Sequence, residues 1–165
     1  MRVYLPATST VLRDLLEARV LPLPRTGFAV TSGLREWYVD EDLDALEYAA
    51  MLEAARASLR LLETDPAAAR RRVVVAVEAV DGAVTERDDL ERGVVRLSEP
   101  VTLAQVASVH VDDRDAEAAV AAAAAAITAA DLGDPRSQDA VDDAEGFELS
   151  WYASQEIEDV LDALR

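Results

Sequence analysis

His110 is the only histidine in the sequence, and in Val109-His-Val-Asp-Asp113 it stands beside two carboxylates. Those residue types point to two chemistries. One is a general base oriented by Asp112 or Asp113, and the other is one ligand of a mixed His/carboxylate metal site. Ser108 shares the strand face of His110, but by the rise of a strand it lies about 7 Å away, too far for direct proton transfer. The competing structural reading is a strand histidine followed by acids that cap the next helix. A functional centre at His110, Asp112 and Asp113 predicts a pocket at the end of the 106–111 strand. Plain capping predicts that substitutions there change stability alone.

Other residue groups carry weaker chemistry. Glu47 falls between two apolar arcs of a helix, where a buried carboxylate would titrate high; the alternative is that it reaches solvent or pairs with an arginine. Trp37, Tyr38, Trp151 and Tyr152 could line an interface or a ligand cleft, although aromatic residues beside strands commonly fill cores. Arg70, Arg71 and Arg72 form the one basic cluster, read here as a solvated strand entry that offsets local acid, with anion binding as the alternative. Asp40, Glu41, Asp42 and Asp44 suit the positive end of a helix dipole better than a metal ion. The phosphate-binding Walker loop, the dinucleotide glycine fingerprint, His-Glu-x-x-His and Gly-x-Ser-x-Gly are all missing from the sequence. That argues against an enzyme, and no cofactor or metal is implied.

The elements that must position these residues follow from periodicity. Asp40 to Glu63 is the longest helical run without Gly or Pro, and its wheel carries two apolar arcs. Leu43, Leu46, Ala50, Ala54, Ala57 and Leu61 form one; Tyr48, Leu52, Ala55, Leu59 and Leu62 form the other. Such a helix is expected to be covered on two sides, by a sheet and by another helix. Strands are expected at Arg2–Leu5 (an edge strand or a strand beginning, closed by Pro6), Phe28–Thr31, Val73–Val80, Gly93–Leu97 (an edge), Val106–Val111 and Phe147–Tyr152. Helices are expected after Thr8 or Ser9, after Ser32, over 114–131, and after Ser154. Val20–Pro24 reads as extended, Thr85–Arg92 as a polar loop or one helical turn, and Pro135–Glu145 as an acidic mobile loop.

From Phe28 onward the order is strand, helix, strand, strand, helix, strand. The expected fold class is therefore α+β: a two-layer sandwich with a ferredoxin-like βαββαβ core, an added N-terminal strand and helix, and an added C-terminal helix, forming a single domain over 1–165.

Composition sets outer bounds. The chain has 165 residues, 51% of them hydrophobic, enough to bury a core. Cysteine is absent, which removes disulfides, thiolate metal sites and thiol nucleophiles. The 33 acids stand against 16 arginines and no lysine, for a formal charge of −17. Such a charge repels nucleic-acid phosphates and anionic membranes, so neither is expected as a partner. With no signal-peptide pattern and no apolar run approaching the roughly 20 residues of a bilayer span, a cytoplasmic protein is expected.

Met1-Arg-Val-Tyr-Leu-Pro-Ala-Thr8, Phe28-Ala-Val-Thr31 running to Leu34-Arg-Glu-Trp-Tyr38, Glu47-Tyr-Ala-Ala50 and Val109-His-Val-Asp112 together resemble a family of small acidic proteins, a domain of unknown function from high-GC Gram-positive bacteria. The resemblance covers nearly the whole chain, and it implies no activity and lends no catalytic residues.

Three functions stay open. The first is a non-enzymatic protein that acts by contact with a protein partner or as a homodimer through a sheet edge or helix face. The second is an acidic mimic that covers a basic nucleic-acid-binding surface, with Glu86, Asp88, Asp89 and Glu91 joined by Asp139, Asp142, Asp143 and Glu145 on one face. The third is a small-molecule or metal-dependent enzyme centred on His110.

Overall fold

The computed structural model describes residues 1–21, 25–39 and 42–165. The expected extension at Pro22–Pro24 and the helix start at Asp40 and Glu41 lie outside the described residues. Among those described, nine strands and six α-helices alternate: β1 (Arg2–Ala7), α1 (Ser9–Ala18), β2 (Val20–Leu21), β3 (Arg25–Phe28), α2 (Ser32–Trp37), α3 (Leu43–Thr64), β4 (Val73–Glu78), β5 (Val84–Glu86), β6 (Val94–Leu97), β7 (Val101–Thr102), β8 (Val106–Asp112), α4 (Glu117–Asp131), α5 (Pro135–Glu145), β9 (Leu149–Ala153) and α6 (Ile157–Ala163).

Seven strands form one antiparallel sheet in the order β5-β6-β3-β1-β4-β8-β9, and β2 pairs with β7 apart from it. β1 is therefore central, which overturns the edge placement, one of the two readings that Pro6 allowed. Met1 and Ala79 exchange backbone hydrogen bonds. By antiparallel alternation, Arg2, Tyr4 and Pro6 then turn their backbones toward β3, whose pairing with β1 is anchored at Tyr4 opposite Phe28. The donor that proline lacks lies beyond that pair, so a central strand tolerates it. Gly27 permits the close approach of β3, because a Cβ there would meet Val3 Cγ1 at 2.7 Å and Leu5 Cδ2 at 2.9 Å.

The helices cover both faces, which corrects the two-layer expectation. Val3, Leu5, Val73, Val75, Val109 and Val111 point to the side held by Leu12 and Leu15 of α1 and by Ile157, Val160 and Leu161 of α6. Tyr4, Phe28, Val74 and Ala76 point to the side held by Leu46, Ala50, Met51 and Ala54 of α3. Alternation along buried strands requires a cover on each side, and VVVAV in β4 is apolar at every position for that reason. β3 and β4 run parallel on either side of β1 and are joined through α2 and α3, which gives the first expected strand-helix-strand unit an inserted strand. The second departs from a ferredoxin-like arrangement: β8 and β9 are antiparallel neighbours linked by a helical hairpin.

That hairpin contains the second correction. Pro135–Glu145 is a helix, capped by Asp134, whose carboxylate accepts from the Ser137 N–H at 3.0 Å, with Pro135 in its first turn. Gly133, at φ +95°, lets the chain turn between α4 and α5. Val141 and Ala144 of α5 then close on Val120, Ala123, Ala124 and Ile127 of α4 and on Leu59 and Leu62 of α3. Smaller corrections concern ends and edges. Thr31, not Ser32, caps α2 by accepting from the Leu34 N–H. β5 occupies part of the expected 85–92 loop and forms the sheet edge, leaving β6 interior. Neither Asp113 nor Ser154 makes a side-chain capping bond to the element that follows it.

Candidate functional site

α3 creates the site by being longer than its cover. Its C-terminal half is sealed by α4 and α5, but the same arc at the N-terminal half is not, and Tyr48 is 47% exposed, with Leu52 also exposed. Beneath Tyr48 the sheet presents His110. Tyr4, Asp44, Glu47, Tyr48, Met51 and His110 line an open cavity of about 200 Å³. Glu47 also borders a neighbouring cavity of about 320 Å³, with Arg2, Arg35, Leu43 and Asp81. Trp151 lies directly opposite His110 in the β8–β9 register, on the same face, and is 62% exposed. Trp151 therefore stands beside His110 on the α3 side of the sheet, the side on which Tyr48 and Leu52 of α3 are exposed.

His110 is half-buried, and its Nε2 lies 3.1 Å from Ser108 Oγ. The expected separation of about 7 Å is a backbone distance; side chains two apart on one face lean together and close it. Burial, and then the positive Arg2, push the His110 pKa below its ordinary value, so the imidazole is neutral near pH 7. Tyr4 is pushed the other way, upward, by burial and then by Glu47.

The proposed acid partners of His110 do not join it. Asp112 is 1% exposed and is held by Arg72, with Nε to Oδ2 at 2.7 Å and Nη2 to Oδ1 at 2.8 Å. Asp113 accepts from the Ser150 hydroxyl at 2.8 and 2.9 Å. Asp112 instead borders a separate cavity of about 120 Å³ beneath α6, with Arg71 and Tyr152. The cavity at His110 is lined by the carboxylates of Asp44 and Glu47, and neither Asp112 nor Asp113 borders it. Among the described residues no cluster of three or more His, Asp or Glu side chains could hold a metal ion. Every buried side-chain nitrogen or oxygen among them has a hydrogen-bond partner.

The aromatic residues divide among three places. Trp37 and Tyr38 are exposed at the end of α2, where the Arg92 guanidinium lies 3.6 Å from the Trp37 ring centroid. Trp151 lies on the α3 side of the sheet, and Tyr152 packs against the core on the opposite face. The arginine cluster is not a solvated strand entry. Arg70 caps the end of α3 by donating to the carbonyls of Leu62, Asp65 and Ala68. Arg71 pairs with Glu117, and Arg72 is fully buried. The acids considered for mimicry have local duties too. Asp88 accepts from the Thr31 hydroxyl and the N–H groups of Gly33 and Gly93, and Glu86 accepts from Ser32. Asp89 pairs with Arg87, and Glu145 with Arg56. Glu91 and Glu145 do converge on Glu53, whose pKa is raised by burial and then by Glu91.

Tyr4, Tyr48 and Arg2 were not singled out from the sequence. The available signal was Tyr48 on the large-residue arc of α3; nothing local marked where its cover would stop.

The edge of the sheet completes the site. The Asp112 N–H donates to the Arg72 carbonyl at 3.1 Å, so Asp112 and His110 turn their backbones toward β4. Alternation then gives the β8–β9 hydrogen bonds to the pairs Val109–Tyr152 and Val111–Ser150, and leaves the N–H and C=O of Leu149 and Trp151 facing outward. β9 is the last strand of the sheet, and LSWYA contains no charge and no proline.

The chain belongs to a family of unknown function (DUF6912), whose model matches residues 1–161. This agrees with the resemblance noted in the sequence, at the level of a family without an assigned activity. No curated protein and no solved structure matches the chain.

Proposed function

We propose that the protein is a non-enzymatic, cytoplasmic protein that acts by protein–protein contact, through the β9 edge and the exposed Trp151 beside it. The observation that carries this reading is the set of four outward-facing backbone groups of Leu149 and Trp151, with Trp151 itself exposed, on a strand that has no charge and no proline. Natural sheets protect such edges with charge, proline, bulges or very short strands. The opposite edge, β5, is three residues long and ends at the charged Glu86, with Arg87 next in the chain; β9 has no comparable defence. Exposed tryptophan and tyrosine are typical anchors of interfaces. In support of this over catalysis, His110 has a hydroxyl partner, Asp112 and Asp113 are held elsewhere, and the Ser108 hydroxyl is buried. In support of this over nucleic-acid mimicry, several of the relevant carboxylates are engaged in caps and ion pairs.

The test compares affinity capture by the wild-type protein and by Trp151→Glu, with circular dichroism establishing that both fold. A partner retained by the wild type and lost by the variant is the expected result. An identical set retained by both would exclude this surface.

A further inference from the structure

The outward groups of β9 form a short frame with two-fold character, and we propose that a second copy of this chain occupies it, pairing β9 with β9 antiparallel about an axis at Ser150. This rests on the contact reading above and names its partner. The frame is bounded at both ends. The Ala153 N–H is taken by Glu156 Oε2 at 2.8 Å. At the other end the Phe147 N–H donates to Ala144 O, and the Phe147 carbonyl accepts from Arg72 Nη2 at 2.9 Å. What remains between them is the N–H and C=O of Leu149 and of Trp151. A long extended peptide would find no partner beyond these. A second β9 centred on Ser150 sets each Leu149 opposite the other copy's Trp151, so that every free group of one strand meets its complement on the other. The two sheets then merge into one, and each Trp151 packs over the facing Leu149.

Charge opposes this association and gives it a signature. Each copy carries −17, and the Asp113 carboxylates, held by Ser150, approach one another across the axis. The strand itself is uncharged, so the repulsion is long-range and screened by salt. A dimer of this kind tightens as salt rises, whereas a basic partner drawn to an acidic surface is released.

The chain has no cysteine, which permits a direct test of register. Ser150 turns its backbone inward, so Ser150 and its symmetry mate form a non-hydrogen-bonded pair, with Cα atoms about 4.5 Å apart, within disulfide range. Ser150→Cys, Trp151→Cys and, as a control on α5, Ser137→Cys are each oxidised, and covalent dimer is read on a non-reducing gel. Sedimentation equilibrium of the wild type is measured from low to high salt. The expected results are rapid linking of Ser150→Cys alone, and a mass that moves from one chain toward two as salt increases. Trp151→Pro removes an outward donor while leaving the β8–β9 ladder intact, and is expected to abolish the shift; Trp151→Glu does the same by charge. A wild type that stays monomeric at every salt, Ser150→Cys linking no faster than Ser137→Cys, or preferential linking through Trp151→Cys each overturns the pairing. If the chain is monomeric but Trp151→Glu still loses a captured partner, the two-fold pairing fails and the contact reading stands. If neither occurs, both fail.

Discussion

Arg72 and Asp112 form a two-pronged ion pair with almost no solvent access, at the point where β4 begins and β8 ends. The carboxylate also accepts from the Arg72 N–H at 2.8 Å, and the guanidinium reaches on to the Phe147 carbonyl. One arginine thus ties together β4, β8 and the segment that leads into β9. Removing one partner strands the other charge in the core, which typically costs about 3–5 kcal/mol. Asp112→Ala is expected to lose stability of that order in urea denaturation. The double variant Arg72→Met with Asp112→Leu is expected to lose much less than Asp112→Ala. Equal losses would show that the charge itself is not what Asp112→Ala exposes.

Ser58 makes a comparable link with a neutral group. Its hydroxyl donates to the Ala7 carbonyl at 2.7 Å and accepts from the Val73 N–H at 3.2 Å, bridging the last rung between β1 and β4 from within α3. The Ala7–Val73 rung also pairs these two groups with each other, so Ser58→Ala removes a second partner from each, and a loss of about 0.5–1.5 kcal/mol in unfolding free energy is expected. Hydrogen exchange at the Val73 amide gives the local readout, and unchanged protection there would contradict the bridge.

What could be read in the sequence was whatever depends on local pattern. The two arcs of α3, the doubly buried β4, the alternation of β8 and the Ala-rich α4 all declare themselves in spacing and propensity. What could not be read depends on partners distant in the chain. Pro6 looked like an edge marker because the side on which a missing donor falls is set by β3 and β4. The acids of Pro135–Glu145 masked a helix that buries only Val141 and Ala144. Asp112 and Asp113 adjoin His110 in sequence, yet Arg72 holds the first and Ser150 the second away from it. Conversely, Tyr4 and Tyr48 meet His110 only because α4 and α5 stop short along α3.

His110 offers a single-residue titration. Its folded pKa is depressed by burial and by Arg2, so the folded state binds its proton less readily than the unfolded chain, whose histidine titrates near about 6.5. Stability is therefore unaffected by this group above that value, and falls as pH drops from there toward the depressed folded value. As the only histidine, it gives one imidazole resonance in proton NMR. A midpoint below the free-histidine value is expected, and His110→Gln is expected to flatten the stability profile between about pH 6.5 and the folded midpoint. A midpoint above the free value would mean that Glu47 and Asp44 outweigh burial.

Asp131 and Asp88 govern a second, more acidic limb. Hydrogen bonding from Arg60 is the main cause that lowers Asp131; burial opposes it, and the positive charges of Arg60 and Arg56 reinforce it. Burial pushes Asp88 upward, but hydrogen bonds from Thr31, Gly93 and Gly33 outweigh it and leave the group low. A depressed carboxyl contributes stability that is fully present above its unfolded pKa, near about 3.9, and is lost as pH falls through the folded value. The two act in different places: Asp131 links α4 to α3, whereas Asp88 holds the start of α2. Exposed pairs of the Arg60–Asp131 kind contribute about 0.2–1 kcal/mol, so Asp131→Asn is expected to shift the midpoint only modestly at pH 7. Its clearer effect should be local: faster hydrogen exchange in α4 and α5 at pH 7, with a smaller further increase on acidification than the wild type shows. Asp88→Asn is expected to loosen α2 and leave α5 unchanged. Matching exchange patterns in the two variants would mean that the acid limb reports global unfolding and not these two contacts.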